Sequence, residues 1–333
     1  MKIAIFGAGS IGAYAGGALL AAGGDVVLIG RANMHERIRR QGLRLTDLHG
    51  HDVSPDASQV PYSEDATALA DADLILVTVK SADTAAAAHT IDKHAKPSAL
   101  LISLQNGVGN ADTLRSSVQT RKVLGGMVPF NVVQMPDGRL HRGTEGEIVI
   151  EADAAAERWQ PLFAEAHLPL QQRVDFAAVQ WGKLLINLNN PINALSGLPL
   201  KTQLSQRAYR RCLALLIDEA RRVLQASGIE PAKVARIGPH LLPSLLRLPD
   251  ALFRRIAAAM LRIDPEARSS MWEDLQAGRR TEVDYLNGAV LALAESHGID
   301  APANRRIVAL IRRAEEGSQP AMAGDALFDA LRA

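Results

Sequence analysis

The chain opens with a glycine-rich hinge between a strand and a helix, and this feature constrains the fold more than any other. An apolar run from Ile3 to Phe6 leads into glycines, and a helical pattern follows. In a G-x-G-x-x-G hinge, the first glycine permits a tight turn, the second lets a pyrophosphate approach the backbone, and the third lets the helix pack on the strand. The unbonded N–H groups at the start of the helix attract phosphate. The pattern predicts a dinucleotide site formed by Gly7, Ala8, Gly9, Ser10, Ile11 and Gly12.

The end of the second predicted strand indicates which dinucleotide binds. NAD-binding folds place Asp or Glu about 20 residues after the glycines, where the carboxylate holds the ribose 2′-hydroxyl. Here the strand Val26 to Ile29 runs into Gly30 and Arg31, with no acid. A cation suits the 2′-phosphate of NADP(H), which carries about two negative charges. We therefore expect NADP(H) and assign Arg31 to its 2′-phosphate; the alternative is a solvated surface arginine.

Composition bounds the class of protein. At 333 residues and 47% hydrophobic, the chain is long enough for two domains. The 37 basic and 36 acidic residues nearly cancel, so charge favours neither a nucleic acid nor an anionic membrane as partner. A single cysteine, Cys212, cannot form an internal disulfide, and this is typical of the cytoplasm. No histidine spacing predicts a metal site.

The pattern of elements predicts two domains of different class. Continuous apolar runs alternate with helical segments in the first half, which is typical of a parallel sheet covered on both faces. These runs are Lys2 to Phe6, Val26 to Ile29, Leu74 to Val79, Leu100 to Leu104, Lys122 to Leu124 and Ile148 to Ile150. From Phe176 onward only helical periodicity recurs. We expect an α/β domain at 1–175 and an all-α domain at 176–333.

One polar strip in the second half points to chemistry. Lys183, Asn187 and Asn190 stand at i, i+4 and i+7, which would place them on one face of a helix. Lysine can donate a proton, and amides bind polar groups without adding charge. Pro191 must end or kink this helix, or begin a new one with Asn190 as its N-cap. The alternative interpretation is a solvated polar face with a cap.

Further polar residues stand where ligands bind in such folds. Lys80 and Asn106 directly follow two of the predicted strands, and ligands bind at the carboxyl ends of parallel strands. The stretches Ser269 to Asp274 and Thr281 to Gly288 lie in the helical half. Each has an ordinary alternative: a surface lysine, an Asn-Gly turn, or a solvated helix charge.

Taken together, these motifs resemble the ketopantoate reductase (2-dehydropantoate 2-reductase) family. The resemblance spans about residues 2 to 300, and the motifs follow the family's order. It is most specific at the Ser-Ser-Met and Thr-Glu-x-Asp-Tyr elements. The matching elements are the glycine hinge, Arg31, Val79-Lys80, Leu104-Gln105-Asn106-Gly107, Lys183 with Asn187, Ser269-Ser270-Met271, and Thr281-Glu282 with Asp284.

The resemblance implies both a fold and an activity. The fold would be an N-terminal Rossmann domain, a doubly wound parallel sheet, followed by an all-α C-terminal domain of the 6-phosphogluconate dehydrogenase C-terminal-like type. The site would lie between the domains. The activity would be NADPH-dependent reduction of 2-dehydropantoate to (R)-pantoate, a step towards pantothenate and coenzyme A.

The resemblance also implies residue roles. Lys183 would be the general acid, and Glu282 would hold the nicotinamide ribose and orient the lysine. Arg31 and Lys80 would bracket the 2′-phosphate. Cofactor and substrate would both contact Asn106. The remaining substrate contacts would be Asn187, Asn190 and Ser270.

The sequence departs from the family pattern at two points that bear on the substrate. Asn190-Pro191 comes one residue early, so that Asn189 or Asn193 could take the place of Asn190, and Leu200 stands where a polar contact is expected. A related reductase of another small 2-oxo acid therefore remains an alternative. Weaker alternatives are a 3-hydroxy acid dehydrogenase and a non-catalytic NADPH sensor. The leucine-rich helical half could form a homodimer interface, although a buried core explains the same composition. Residues 231–268 could form extra helices at a subunit contact or over the site, or a solvated helical insertion.

Overall fold

The computed structural model describes residues 1–55, 60–118, 120–233, 238–257, 265–317 and 320–333. These form two compact units, Met1–Phe176 and Ala177–Ala333. All described strands belong to the first unit: β1 Lys2–Phe6, β2 Asp25–Ile29, β3 Leu45–Asp47, β4 Asp52–Val53, β5 Tyr62–Ser63, β6 Leu74–Val77, β7 Leu100–Ser103, β8 Lys122–Met127, β9 Val132–Gln134, β10 Leu140–Arg142, β11 Ile148–Glu151 and β12 Leu170–Arg173.

The main sheet of the first unit has the strand order β12-β11-β8-β7-β6-β1-β2-β5. All neighbouring strands are parallel except β8 and β11. The six strands from β5 to β8 follow the order 3-2-1-4-5-6 of the doubly wound dinucleotide-binding fold. The expected Rossmann class is therefore confirmed, and β1 and β6 are adjacent at the point where the strand order reverses.

Apolar residues on both faces of the sheet explain its continuous hydrophobic strands. Ile3 and Ile5 belong to one buried cluster, whereas Ala4 between them belongs to another. Successive side chains of a strand point to opposite faces, so two clusters mean that both faces are covered. Helices supply the cover: α1 Ser10–Ala21, α2 Ala32–Gln41, α3 Thr84–His94, α4 Asn110–Ser117 and α5 Gln160–Glu165.

A second, smaller sheet was not predicted from the sequence. Its order is β4-β3-β10-β9, with two antiparallel pairs around a parallel pair of β3 and β10. Its strands are two or three residues long, which is too short for an alternating pattern to stand out. The sequence also predicted the ends of two strands of the main sheet too late: β6 ends at Val77 and β7 at Ser103. The residues beyond these ends form the loops that carry Lys80 and Asn106.

The second unit is helical throughout its described residues, as expected. Its first helix, α6, begins at the last residue of the first unit. The helices are α6 Phe176–Asn187, α7 Asn189–Ser196, α8 Leu200–Leu204, α9 Arg207–Ala226, α10 Leu242–Leu246, α11 Asp250–Ile256, α12 Ser270–Gln276, α13 Val283–Ser296, α14 Pro302–Glu315 and α15 Gly324–Arg332.

A buried carboxylate ties the long helix α9 to the start of α14. Glu219, 3% exposed, accepts hydrogen bonds from the backbone N–H groups of Ala303 and Asn304 and from the Asn304 side chain. Helix N-termini leave N–H groups unbonded and favour negative charge, and the Glu219 carboxylate both accepts from those groups and supplies that charge.

Cys212, also on α9, is fully buried, and burial raises the pKa of its thiol to about 12.

The segment 231–268 contains α10 and α11, but residues 234–237 and 258–264 lie outside the described residues. Extra helices are therefore present, and their expected role at the site or at a subunit contact stays a prediction. Within the described ranges, every helix is too short or too polar to cross a lipid bilayer.

Candidate functional site

The glycine hinge after β1 is held in place from both sides. The N–H groups of Gly7 and Ala8 donate to the carbonyl of Ile29 at 2.9 and 3.0 Å, so the hinge is bonded to the end of β2. The Thr78 hydroxyl, at the end of β6, donates to the Gly7 carbonyl at 2.8 Å. Gly7 has φ +110°, a conformation that side-chain-bearing residues rarely adopt. The sequence therefore needs glycine here for the turn itself.

The other two glycines serve different purposes. A Cβ at Gly12 would lie 2.5 Å from the Gly7 carbonyl and from the Thr78 hydroxyl, so close packing excludes any side chain. A Cβ at Gly9 would have only the Gly7 carbonyl within reach, at 4.0 Å. The protein's own packing thus leaves room for a side chain at Gly9, and the missing side chain opens space for a ligand.

The start of α1 can hold an anion in that space. The helix begins at Ser10, and Ala13 makes its first intrahelical bond, to the carbonyl of Gly9. The N–H groups of Ser10, Ile11 and Gly12 precede that bond, so none has an intrahelical acceptor. The helix also has no acidic residue in its first turn. These features fit the pyrophosphate of a dinucleotide.

Two cations stand on loops at the same end of the sheet. Arg31 is the N-cap of α2, directly after β2, and its side chain is 83% exposed. Lys80 precedes the short 3₁₀ turn Ser81–Asp83 that follows β6. The Arg31 guanidinium lies 3.4 Å from the carboxylate of Asp83, a loose pair on the surface. Exposed pairs of this kind contribute little, so Arg31 can exchange this partner for a phosphate at small cost.

Asn106 lies on the loop that follows β7. The loop turns through Gly107 and Gly109, which have φ of +81° and +85°. The carbonyl of Asn106 accepts hydrogen bonds from the Asn110 side chain at 2.7 Å and from the Ser81 hydroxyl at 3.1 Å. Asn106, Lys80 and the glycine hinge therefore all lie at the carboxyl ends of β7, β6 and β1, which are neighbours in the sheet.

Lys183, in the second unit, lies on α6 and is partly buried. Burial disfavours the ammonium form and lowers the pKa of Lys183 to about 8, against the opposing effect of the Glu282 carboxylate. Glu282 therefore lies near enough to Lys183 for its negative charge to favour the ammonium form. A lysine with this pKa is still mostly charged at neutral pH, yet it releases its proton more readily than an ordinary one.

The expected polar strip is wrong at its last member. Lys183 and Asn187 lie one turn apart on α6, but that helix ends at Asn187 and α7 begins at Asn189. Pro191 explains the break, because it has no N–H to bond the Asn187 carbonyl and its ring crowds that carbonyl. The N-cap of α7 is Leu188 rather than Asn190. Asn190 is therefore the second residue of a separate helix.

The structure nevertheless distinguishes Asn190 from the two alternatives. Asn189 is buried and exchanges two hydrogen bonds with the Gln203 side chain. Asn193 is fully buried; its amide donates to the Leu198 carbonyl and accepts from the N–H of Ser269. The Asn190 side chain is partly exposed and makes no hydrogen bond within the described residues. Of the three amides, Asn190 is the one available to a ligand.

Ser269 and Ser270 divide two tasks between them. Ser269 caps α12: its hydroxyl accepts from the Trp272 N–H at 3.2 Å and lies 3.2 Å from the Asn190 carbonyl. Together with the bond to Asn193, these contacts join the start of α12 to α7. Ser270 is the first residue of α12, and its side chain is exposed. Ser269 thus sets the position, and Ser270 presents a hydroxyl.

Glu282 is anchored by its neighbours. The Glu315 carboxylate accepts from both the N–H and the hydroxyl of Thr281, each at 2.8 Å. Asp284, two residues beyond Glu282, pairs with Arg312 at 2.8 Å. Glu282 itself is the N-cap of α13 and is partly buried. The Thr-Glu-x-Asp element therefore ties both sides of Glu282 to α14.

Three residues that help to build these sites were missed from the sequence. Thr78, Ser81 and Asn110 hold the backbone of Gly7 and Asn106, and each looks like an ordinary loop or helix-end residue in the sequence. Burial of a polar side chain beside the glycine motifs is the only signal, and it requires the structure.

In the described ranges, no group of three or more His, Cys, Asp or Glu side chains could hold a metal ion.

The two halves of the chain match two models of one family in sequence order. Residues 3–154 match the family described as Ketopantoate reductase PanE/ApbA. Residues 175–315 match its companion, described as Ketopantoate reductase PanE/ApbA C terminal. The matches cover most of the chain and include every candidate residue named above.

Known relatives agree with this match. The 2-dehydropantoate 2-reductase of Archaeoglobus fulgidus is 29% identical over 328 residues, which cover 95% of this chain and 98% of the relative. The crystal structure of a PanE/ApbA family ketopantoate reductase from Ralstonia eutropha JMP134 is 33% identical with a TM-score of 0.80, covering 96% of this chain and 100% of that one. A D-mandelate dehydrogenase solved with NADH and anilino(oxo)acetate is 21% identical, with a TM-score of 0.78 and coverage of 96% and 99%; this likeness shows the fold alone.

The contrast between Gly9 and Gly12 can be tested with a matched pair of variants. We predict that Gly12→Ala loses about 1–3 kcal/mol of unfolding free energy, because its Cβ meets the Gly7 carbonyl at 2.5 Å. Gly9→Ala keeps wild-type stability but binds a nicotinamide dinucleotide, tested with NADPH and with NADH, at least about tenfold more weakly, since the methyl group occupies the phosphate space. Urea unfolding and fluorescence titration with NADPH and with NADH measure the two effects. Wild-type affinity for both dinucleotides in Gly9→Ala would contradict the assignment.

Proposed function

Because this chain belongs to the ketopantoate reductase family, we propose that it is an oxidoreductase that reduces 2-dehydropantoate to (R)-pantoate with NADPH. The observation that carries the proposal is the partly buried Lys183, whose pKa falls to about 8 beside Glu282. Such an amine is suited to donating a proton to a carbonyl oxygen. The reaction is a step towards pantothenate and coenzyme A.

The first unit supplies the features that fit a nicotinamide dinucleotide. The open side of Gly9 and the start of α1 suit the pyrophosphate. Arg31 and Lys80 give positive charge beyond β2 and β6, and no acid ends β2. We assign both to the 2′-phosphate, which makes NADPH rather than NADH the cofactor. Asn106 is assigned to the nicotinamide ribose and to the substrate.

The second unit supplies the acid. The bound dinucleotide provides the hydride that the C2 carbonyl carbon of the substrate accepts. Negative charge then grows on the carbonyl oxygen, and the Lys183 ammonium stabilises it and donates its proton there. Lys183 is left neutral and regains a proton from solvent. A positioned acid of this kind typically contributes about 10²- to 10⁴-fold in rate.

Glu282 keeps the acid charged. Without a nearby carboxylate, burial alone would depress the pKa of Lys183 further, since the Glu282 carboxylate opposes that shift. We also assign Glu282 to the nicotinamide ribose. Asn187, Asn190 and Ser270 bind the polar groups of the substrate. Asn187 lies one turn from Lys183 on α6, while Asn190 and Ser270 stand on elements joined through Ser269.

The function is tested by following NADPH oxidation at 340 nm with 2-dehydropantoate, pyruvate and 2-oxoisovalerate in parallel. We predict a clear preference for 2-dehydropantoate, and at least about a hundredfold loss of kcat in Lys183→Ala with little change in NADPH affinity. Lys201→Ala, at an exposed lysine of the same unit, is the control and keeps wild-type turnover. Preference for another acid would identify a related reductase, and near-normal turnover in Lys183→Ala would refute the acid.

The choice of NADPH is tested at Arg31. We predict that Arg31→Ala raises the KM for NADPH about 10- to 100-fold but leaves the KM for NADH nearly unchanged, because only NADPH carries the 2′-phosphate. Arg39→Ala, at an exposed arginine of α2, is the matched control. A ratio of the two KM values equal to that of the wild type would remove Arg31 from this role.

A further inference from the structure

The carbonyl of Asn106 joins two loops of the first unit. It accepts from the Asn110 side chain, at the first residue of α4, and from the Ser81 hydroxyl. Ser81 directly follows Lys80, so its bond crosses from the loop after β6 to the loop after β7. The Asn110 amide also donates to the Ser81 hydroxyl at 3.2 Å. Three groups therefore close a small ring of hydrogen bonds beneath Asn106.

The ring continues into the interior through a chain of polar side chains. The Thr84 hydroxyl lies 2.8 Å from both the Asn110 side-chain oxygen and the Ser81 carbonyl. It accepts from the Gln105 amide at 2.7 Å, and this amide also donates to the Val79 carbonyl at 3.2 Å. The far end is closed by Ser103, whose hydroxyl donates to the Gln105 side-chain oxygen.

This cluster, here called the loop network, lies almost entirely out of water. Its five members are between 2% and 7% exposed: Ser81, Thr84, Ser103, Gln105 and Asn110. Buried polar groups cost free energy unless they are bonded, and apolar residues of similar size often stabilise a core at least as well. A fully bonded network holds its members in one defined geometry. Here the network bonds the carbonyls of Val79 and Ser81, on either side of Lys80, and the carbonyl of Asn106.

We propose that Asn110 and Ser81 are positioning residues that act through Asn106. They hold its backbone so that its side chain meets NADPH and the substrate. This inference rests on the proposed function, because it takes the contacts of Asn106 from there. Neither residue touches the reacting groups in this account.

A double-mutant cycle tests the proposal. Asn110→Ala is expected to weaken NADPH binding and to lower kcat/KM for 2-dehydropantoate by about tenfold, the usual effect of one lost hydrogen bond to a positioned group. In the Asn106→Ala background the same substitution is expected to change neither value by more than about twofold, since the side chain that it positions is gone. Near-isosteric Asn110→Asp, which lacks the amide donor, is expected to resemble Asn110→Ala.

Controls separate positioning from stability. Ser116→Ala, on the exposed side of α4, is expected to leave both values unchanged. If Asn110→Ala does not fold, Ser81→Ala, which removes the other donor, takes its place in the same cycle. An equal loss with and without the Asn106 side chain would overturn the proposal. NADPH affinity is measured without substrate, so a wild-type enzyme inactive on 2-dehydropantoate would refute the function while the binding cycle still decides the positioning role.

Discussion

The proposed chemistry of this protein depends on one ammonium group, that of Lys183, which is largely removed from water. Burial favours the neutral amine of Lys183, and the Glu282 carboxylate favours the ammonium. The balance leaves a pKa of about 8, within reach of physiological pH. An acid at this value is charged when the substrate binds and gives up its proton at little cost, which is the combination that general acid catalysis requires. Neither burial nor the carboxylate alone would produce it.

Much of the surrounding structure serves to hold such groups still. Thr281 bonded to Glu315 and Asp284 paired with Arg312 restrain both sides of Glu282. Ser269 bonded to Asn193 fixes the start of α12, and the loop network fixes Asn106 in the first unit. In each case a buried or capped polar residue is next to the assigned one. Correct placement of reacting groups supplies a large part of an enzyme's rate enhancement, so these neighbours support the proposed site.

The sequence predicted the parts of the fold that have strong local signals. The glycine hinge, the long apolar strands and the amphipathic helix α9 follow from backbone sterics and periodicity, and all are present. Strands of two or three residues, such as β4 and β9, carry no periodic signal and were missed. Pro191 cannot bond the Asn187 carbonyl, so α6 ends at Asn187 and a new helix begins at Asn189. The i, i+4, i+7 spacing assumed one continuous helix and therefore placed Asn190 on the wrong one. The roles of Ser81 and Asn110 depend on contacts between distant loops, and no local pattern reveals those. A homodimer interface on the helical half remains one of the two interpretations given above for its leucine-rich composition.

The role of Lys183 as the acid is tested by the pH dependence of kcat/KM for 2-dehydropantoate at fixed NADPH. The proposed role of Lys183 requires its protonated form, so activity should be present below pH 8 and fall as the pH rises through about 8, the pKa of this amine. Glu282→Gln removes the charge that supports the ammonium and should move this fall to lower pH. A profile that stays level well above pH 8, or a fall that does not move or moves to higher pH in Glu282→Gln, would contradict the account.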